Sequence, residues 1–277
     1  MPQEGWKTWA GEATQEFLDL VNGEAVEMLG GGDAPFATHA QPSGSVAFLS
    51  LLTRDLTFRK KFHRATTQGL DFQFGEDSRK VEFWGITGSG SGHYGSFVRV
   101  LWWEAGKRSK AVEILAEGDD RVILFEPAKA MNFTDACKQV RDLKERWTMR
   151  SGEWGGANDK SLHAMDNLRI PALVLEGDAE FSERLSGALT FGGPQPFRVA
   201  YAKQKHLLKL DERGAQVKVV VDAGLEPFGE APPAPQMLSR DLIFDRPFFV
   251  FLWRDGTDWP YFSAWIGDFA GMTEFAK

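Results

Sequence analysis

The order of segments in the C-terminal third of the chain limits the fold more than any other feature. Phe197–Glu212 has the length and composition of a long β-strand and leads into a valine-rich run. The following stretch, 224–239, contains four prolines, which cannot take part in a regular strand ladder. Phe248–Trp253 and Tyr261–Ile266 then flank a short polar turn, as in an apolar hairpin. A long exposed loop is therefore predicted between two strand-forming segments.

The rest of the chain predicts an α+β protein. Apolar residues at mostly helical spacing in Thr8–Leu29 predict one or two short helices, interrupted at Asn22-Gly23, so that residues 1–45 form a helical N-terminal segment. Val46–Leu52 is an apolar run of strand length, and 70–126 reads as a meander of antiparallel strands. The cap signal at Asn132 predicts a helix to about Arg146.

The net charge limits the classes of partner that the protein can bind, and the cysteine count limits the disulfides that it can form. With 32 Lys+Arg and 39 Asp+Glu the formal net charge is −7, which argues against a nucleic acid partner. We expect no membrane partner, because no segment reaches the length of an apolar span, and the first residues do not resemble a signal peptide. Cys137 is the single cysteine, so no intrachain disulfide can form. Compartment and oligomeric state are left open.

No motif predicts catalysis. Gly90-Ser91-Gly92-His93-Tyr94-Gly95 matches the dinucleotide pattern GxGxxG, but a strand pattern follows instead of the helix that would hold a pyrophosphate, so we interpret it as a hairpin loop. The five histidines are isolated, and no serine lies in a GxSxG elbow. We therefore expect a protein that is not an enzyme and that binds no metal or cofactor.

Two stretches of the C-terminal third carry a resemblance. The strand ends in Asp211-Glu212-Arg213-Gly214, and after the proline-rich loop the chain returns through Phe244-Asp245-Arg246-Pro247-Phe248 into the last hairpin. In this order the chain resembles the serpin family, whose hinge, reactive loop and C-terminal β-barrel hairpin follow each other in the same way. Upstream, Val46–Phe62 is similar to the third strand of serpin sheet A and its exit.

The resemblance implies one serpin-like domain over 1–277, with mixed sheets and a few flanking helices in 46–277. It also implies that the family's N-terminal helices are absent from this chain or replaced by its first 45 residues. Three marker positions of the sheet A shutter and breach depart from the family pattern: Ser50 in place of asparagine, Phe58 in place of tryptophan and Gln204 in place of histidine.

The family activity implied by the resemblance is inhibition of a serine protease by a cleavable loop, here about 213–243. The hinge positions would be Glu212, Gly214, Ala215, Val217 and Val219. Counting forward from Glu212 places the reactive bond after Phe228, which suits a chymotrypsin-like protease. Counting back from Phe244 moves it to Gln236–Arg240, and a bond after Arg240 suits a trypsin-like protease.

The valine-rich hinge leaves a second function open. Inhibitory serpins favour small alanines here because insertion must outrun hydrolysis, whereas valine is stiff and bulky at Cβ. A valine run can instead pair early and stay inserted. A non-inhibitory serpin-like binding or structural protein is therefore the alternative.

Overall fold

The structure is a computed structural model that describes residues 6–36, 39, 45–86, 88–104, 106–149, 160–180, 188–189, 197–217 and 239–276. Each structural statement below concerns this part of the chain. Two compact units are present, one formed by 1–55 and 175–208 and the other by 56–174 and 209–277. Whether the chain is one domain in the serpin sense stays a prediction.

Eighteen strands account for most of the regular structure. In chain order they are β1 Trp6–Glu12, β2 Ser45–Leu52, β3 Arg54–Thr57, β4 His63–Arg64, β5 Leu70–Phe74, β6 Asp77–Val81, β7 Phe83–Ile86, β8 Val98–Trp103, β9 Lys110–Leu115, β10 Asp120–Glu126, β11 Asn167–Pro171, β12 Leu173–Glu180, β13 Ala188–Leu189, β14 Phe197–Asp211, β15 Gly214–Val217, β16 Asp241–Ile243, β17 Phe248–Arg254 and β18 Phe262–Ile266. The described helices are α1 Gln15–Met28, α2 Phe133–Met149 and the 3₁₀ helix Gly88–Tyr94. The α+β prediction is confirmed.

The first unit is built around β2. It pairs antiparallel with β1 and parallel with β14, where Ser45–Ser50 lie opposite Arg198–Gln204. The apolar face of α1 packs on β1 and β2, and Leu18, Val21 and Ala25 are fully buried there. β2 and the long strand β14 are therefore direct neighbours in one sheet.

The prediction of a helical N-terminal segment is partly wrong. Only Gln15–Met28 is helical, with Thr14 Oγ1 accepting a hydrogen bond from the N–H of Phe17, whereas Trp6–Glu12 forms β1. Asn22-Gly23 does not interrupt α1, because the Asn22 side chain accepts a hydrogen bond from the N–H of Phe36, 3.0 Å away. The pairing with β2 and this contact outweigh the local preferences of both segments.

The second unit contains a five-stranded sheet in the order β18-β17-β10-β9-β8 and a four-stranded sheet in the order β16-β11-β7-β4. α2 covers one face of the five-stranded sheet through Ala136, Val140 and Leu143. β17 and β18 form the predicted antiparallel hairpin. Closure of this sheet into a barrel stays a prediction.

The meander prediction needs one correction. β5–β6 and β8–β9–β10 are antiparallel as predicted, but β7 pairs with β4 and β11 in the other sheet. The GxGxxG segment is therefore no hairpin loop. It lies in the crossover from β7 to β8, and its residues 90–94 belong to the 3₁₀ helix Gly88–Tyr94.

Candidate functional site

The N-terminal base of the predicted loop is a tight strand pair. β14 ends at Asp211, the chain turns at Glu212-Arg213, and β15 runs back antiparallel, with Leu210 opposite Ala215 and Asp211 opposite Gly214. On its other side β15 pairs with β3. Leu210 and Ala215 are fully buried. The start of the predicted hinge is therefore already a strand in the sheet.

Gly214 allows this close packing. A Cβ atom at this position would lie 1.7 Å from the carbonyl oxygen of Leu56 in β3, a distance no side chain tolerates. The backbone of the turn is held from the same side, since the N–H of Phe58 donates to the Arg213 carbonyl at 2.8 Å and the N–H of Phe62 to the Glu212 carbonyl at 2.9 Å. Two backbone hydrogen bonds and a close glycine contact thus fix the hinge.

Phe58, one of the three predicted shutter-type positions, therefore contacts the predicted hinge directly. Its buried ring packs against Phe62 and Trp84, with ring centroids 5.3 and 5.5 Å away. This aromatic cluster supports the turn at 212–213. The structure brings Phe58 close to the turn at 212–213 that precedes Gly214 and Ala215.

Two arginines compensate the negative charge of Glu212 in the turn between β14 and β15. Glu212 is buried, and its carboxylate lies 3.6 Å from Arg64 Nη1 and 3.6 Å from Arg213 Nε. A hydrogen bond to Glu82, opposed by burial, raises the pKa of Arg64 above its ordinary value. Arg64 therefore stays charged and links Glu82 to Glu212.

The other two predicted shutter-type positions, Ser50 and Gln204, lie opposite each other in the first unit. Ser50 in β2 and Gln204 in β14 are partners in the parallel register, so no strand lies between them there. These are the two positions at which the sequence has serine and glutamine in place of the asparagine and histidine of the family pattern. The sheet is therefore unexpanded at this level.

The C-terminal base of the loop is a buried ion pair. Arg240 and Asp166 are both fully buried, and Arg240 donates to the carboxylate from its backbone N–H at 2.9 Å, from Nε at 3.1 Å and from Nη2 at 2.6 Å. The N–H of His163 donates to the same carboxylate at 2.7 Å. Immediately beyond, Asp241 begins β16, which pairs parallel with β11.

This placement corrects one expectation. Arg240 was a candidate for the reactive bond, but a protease cannot reach a fully buried residue that is held by a buried carboxylate. We therefore withdraw Arg240 as a cleavage position. Val219, Phe228 and Gln236 lie outside the described residues and stay predictions, as does the hinge role of Val217, whose backbone belongs to β15.

Sequence reasoning missed the residues that hold the two ends of the loop. Asp166, Arg64 and Phe62 contact the loop ends from distant parts of the chain. The one usable signal was Asp166 itself, a carboxylate directly before an apolar strand, where a buried acid needs a cationic partner.

No group of three or more potential metal ligands occurs among the residues that the structure describes. Within the same ranges, no helix is long and apolar enough to cross a membrane.

Comparison with known proteins identifies the fold. No family model matches the sequence, and no curated protein matches it. Among solved structures, thyroxine-binding globulin in complex with thyroxine superposes with a TM-score of 0.57 at 10% identity, covering 91% of this chain and 64% of that one. Serpin48 of the insect Tenebrio molitor gives 0.52 at 12%, covering 91% and 65%. Mouse protein-Z dependent protease inhibitor gives 0.59 at 14%, covering 96% and 75%.

The chain thus spans just under two thirds of the first of these proteins. Identities of 10–14% carry the fold and nothing further. Together with the strand order around the loop, they show that this chain has a serpin-like fold.

Proposed function

We propose that the protein inhibits a serine protease through the loop of about 213–243. One observation carries the proposal: the chain that leaves β14 turns back at Glu212-Arg213 and enters the sheet as β15, antiparallel to β14. A loop that inserts as a new strand must begin in this way, because pairing propagates from residues that are already in register. Comparison with mouse protein-Z dependent protease inhibitor supports the same function.

The proposed reaction uses the protease's own chemistry. Its serine Oγ attacks the carbonyl carbon of Phe228, the peptide bond to Gly229 breaks, and the new α-amino group leaves with the C-terminal fragment. Phe228 is then held to the protease by an ester bond. Insertion of 218 onwards beside β14 would carry the acyl-enzyme away before water hydrolyses the ester.

Insertion has a defined requirement in the sheet. Ser45–Ser50 of β2 and Arg198–Gln204 of β14 are paired now, so the incoming strand must take the place of β2 beside β14. The inserted strand can pair with β14 on one side and with β2 on the other, so one strand pairing is lost and two are formed, and the net added pairing favours insertion. The C-terminal base stays in place, because Arg240 is held by Asp166.

A non-inhibitory serpin-like binding protein is the second candidate. Specific support comes from Val217, Val219, Val220 and Val221, whose β-branched side chains slow rearrangement of an inserting strand. In that case β15 marks where insertion stops, and proteases cut the loop as an ordinary substrate.

The test is progressive inhibition of chymotrypsin and trypsin. We expect loss of chymotrypsin activity with time at near-equimolar protein and little effect on trypsin. Ala215→Arg places a charge at a fully buried position of β15 and should convert the inhibitor into a substrate. The matched control is Glu76→Arg, the same new side chain in the exposed β5–β6 turn, which should inhibit like the wild type.

Steady hydrolysis of the loop by chymotrypsin with no loss of protease activity would favour the non-inhibitory candidate. Equal inhibition by the wild type and by Ala215→Arg would show that the hinge has no part in it.

A further inference from the structure

A cleft lies between the C-terminal end of α2 and the edge strand β8, away from the loop. Leu143 and Trp147 of α2 form one wall, and Val100, Leu101 and Trp102 of β8 form the other. The enclosed free space is about 50 Å³, and the cleft continues from it into open solvent. Small-molecule sites commonly have such apolar walls.

The polar lining of this cleft is cationic. Arg146 and Lys160 border it, and no Asp or Glu is found among the described residues that line it. Two hydrogen bonds fix the position of Lys160. Its carbonyl accepts from the N–H of Val100 at 2.9 Å, and its Nζ donates to the carbonyl of Trp147. Two full positive charges exceed the roughly half negative charge of a helix C-terminus. The cleft therefore favours an anion.

Trp147 adds an unused donor. Its Nε1 is buried and has no acceptor within the described part of the chain. Two cations lie near its ring, with Lys160 Nζ 4.8 Å and the Arg99 guanidinium 4.6 Å from the ring centroid. Arg99 is already paired with Glu113 at 2.9 Å. A buried indole N–H without a partner is uncommon and is satisfied when a ligand acceptor binds.

We propose that this cleft binds a small aromatic anion. The ring of the ligand packs against Leu143 and Trp102, and its carboxylate or sulfonate is held by Arg146, Lys160 and the Trp147 N–H. Each requirement matches one part of the lining: apolar walls for the ring, two cations for the charge and one free donor for an oxygen. This site is independent of the proposed protease inhibition.

The experiment compares two fluorescent probes that differ in charge. 1-Anilinonaphthalene-8-sulfonate has the proposed chemistry, and N-phenyl-1-naphthylamine is its neutral analogue. We expect the double variant Arg146→Gln/Lys160→Gln to bind the sulfonate at least about tenfold more weakly, the loss of two charge-assisted contacts, while affinity for the neutral probe changes less than about twofold. Trp147→Phe should weaken only the sulfonate.

Matched controls locate the probe. Lys129→Gln/Lys138→Gln removes the same charge from exposed positions before and within α2 and should leave the affinity unchanged. Phe133→Ser tests the exposed aromatic pair Phe133 and Trp265 as the binding place instead. Circular dichroism and the melting temperature verify that each variant folds.

Two results would overturn the proposal. The first is an unchanged sulfonate affinity in Arg146→Gln/Lys160→Gln. The second is loss of binding in Phe133→Ser.

Discussion

Removing the carboxylate of Asp166 should destabilise the protein more than other single changes at the loop ends. Asp166 is fully buried and accepts hydrogen bonds from Arg240 Nε, Arg240 Nη2 and the backbone N–H groups of His163 and Arg240. Asp166→Leu leaves a guanidinium in the interior without a counter-charge. Breaking a buried pair from one side costs about 3–5 kcal/mol of unfolding free energy.

The double variant Asp166→Leu/Arg240→Met gives the sharper comparison. It removes both charges, so two backbone N–H groups lose their acceptor and the Ser161 carbonyl loses the donor Arg240 Nη2, and we expect it to be more stable than Asp166→Leu alone. The exposed pair Lys107–Glu104 serves as control, since Glu104→Gln should cost less than about 0.5 kcal/mol.

Urea unfolding followed by circular dichroism measures these free energies. For a chain of this length, the single variant should also melt roughly 6–10 °C below the wild type. A loss under about 1 kcal/mol for Asp166→Leu, or a double variant less stable than the single one, would refute the reasoning that an uncompensated buried charge dominates.

Three further changes test other parts of the account, each by urea unfolding. Gly23→Ala should stabilise α1 by about 0.5–1 kcal/mol, because a Cβ there meets nothing within 4 Å; a loss would show that this turn of the helix is constrained. Gly214→Ala should cost roughly 1–3 kcal/mol and speed proteolysis of the hinge, because its Cβ would meet the Leu56 carbonyl; wild-type stability and proteolysis would contradict the packing. Burial, opposed by Lys110, raises the pKa of Glu126 above its ordinary 4.5, so the wild type should lose stability relative to Glu126→Gln as the pH rises from 4 through that raised pKa; a gain with pH would contradict the sign.

Local signals predicted the elements whose interactions are close in sequence. The helix beginning after Asn132 is an example, since the Asn132 side chain accepts a hydrogen bond from the N–H of Asp135 at 2.8 Å. The C-terminal hairpin is another, because β17 and β18 are joined by a short turn. Both depend on neighbours that a pass along the sequence can find.

Long-range contacts explain why the predictions for β1 and for Arg240 were wrong. β1 is a strand because it pairs with β2, more than 30 residues later, and Arg240 is buried because Asp166 lies beside it from 74 residues away. Counting residues placed Arg240 in an exposed loop, since nothing local to 240 indicates burial. The hinge positions are a prediction from a family resemblance, but the pairing of Gly214–Val217 with β3 and β14 required the structure.

The most direct test of protease inhibition is the covalent adduct itself. The protein is mixed with chymotrypsin, denatured in SDS and analysed by gel electrophoresis and mass spectrometry. The account predicts an SDS-stable species containing the protease and the chain up to Phe228, joined through the catalytic serine, and its absence in Ala215→Arg. Complete cleavage of the loop into two fragments with no such species would contradict it.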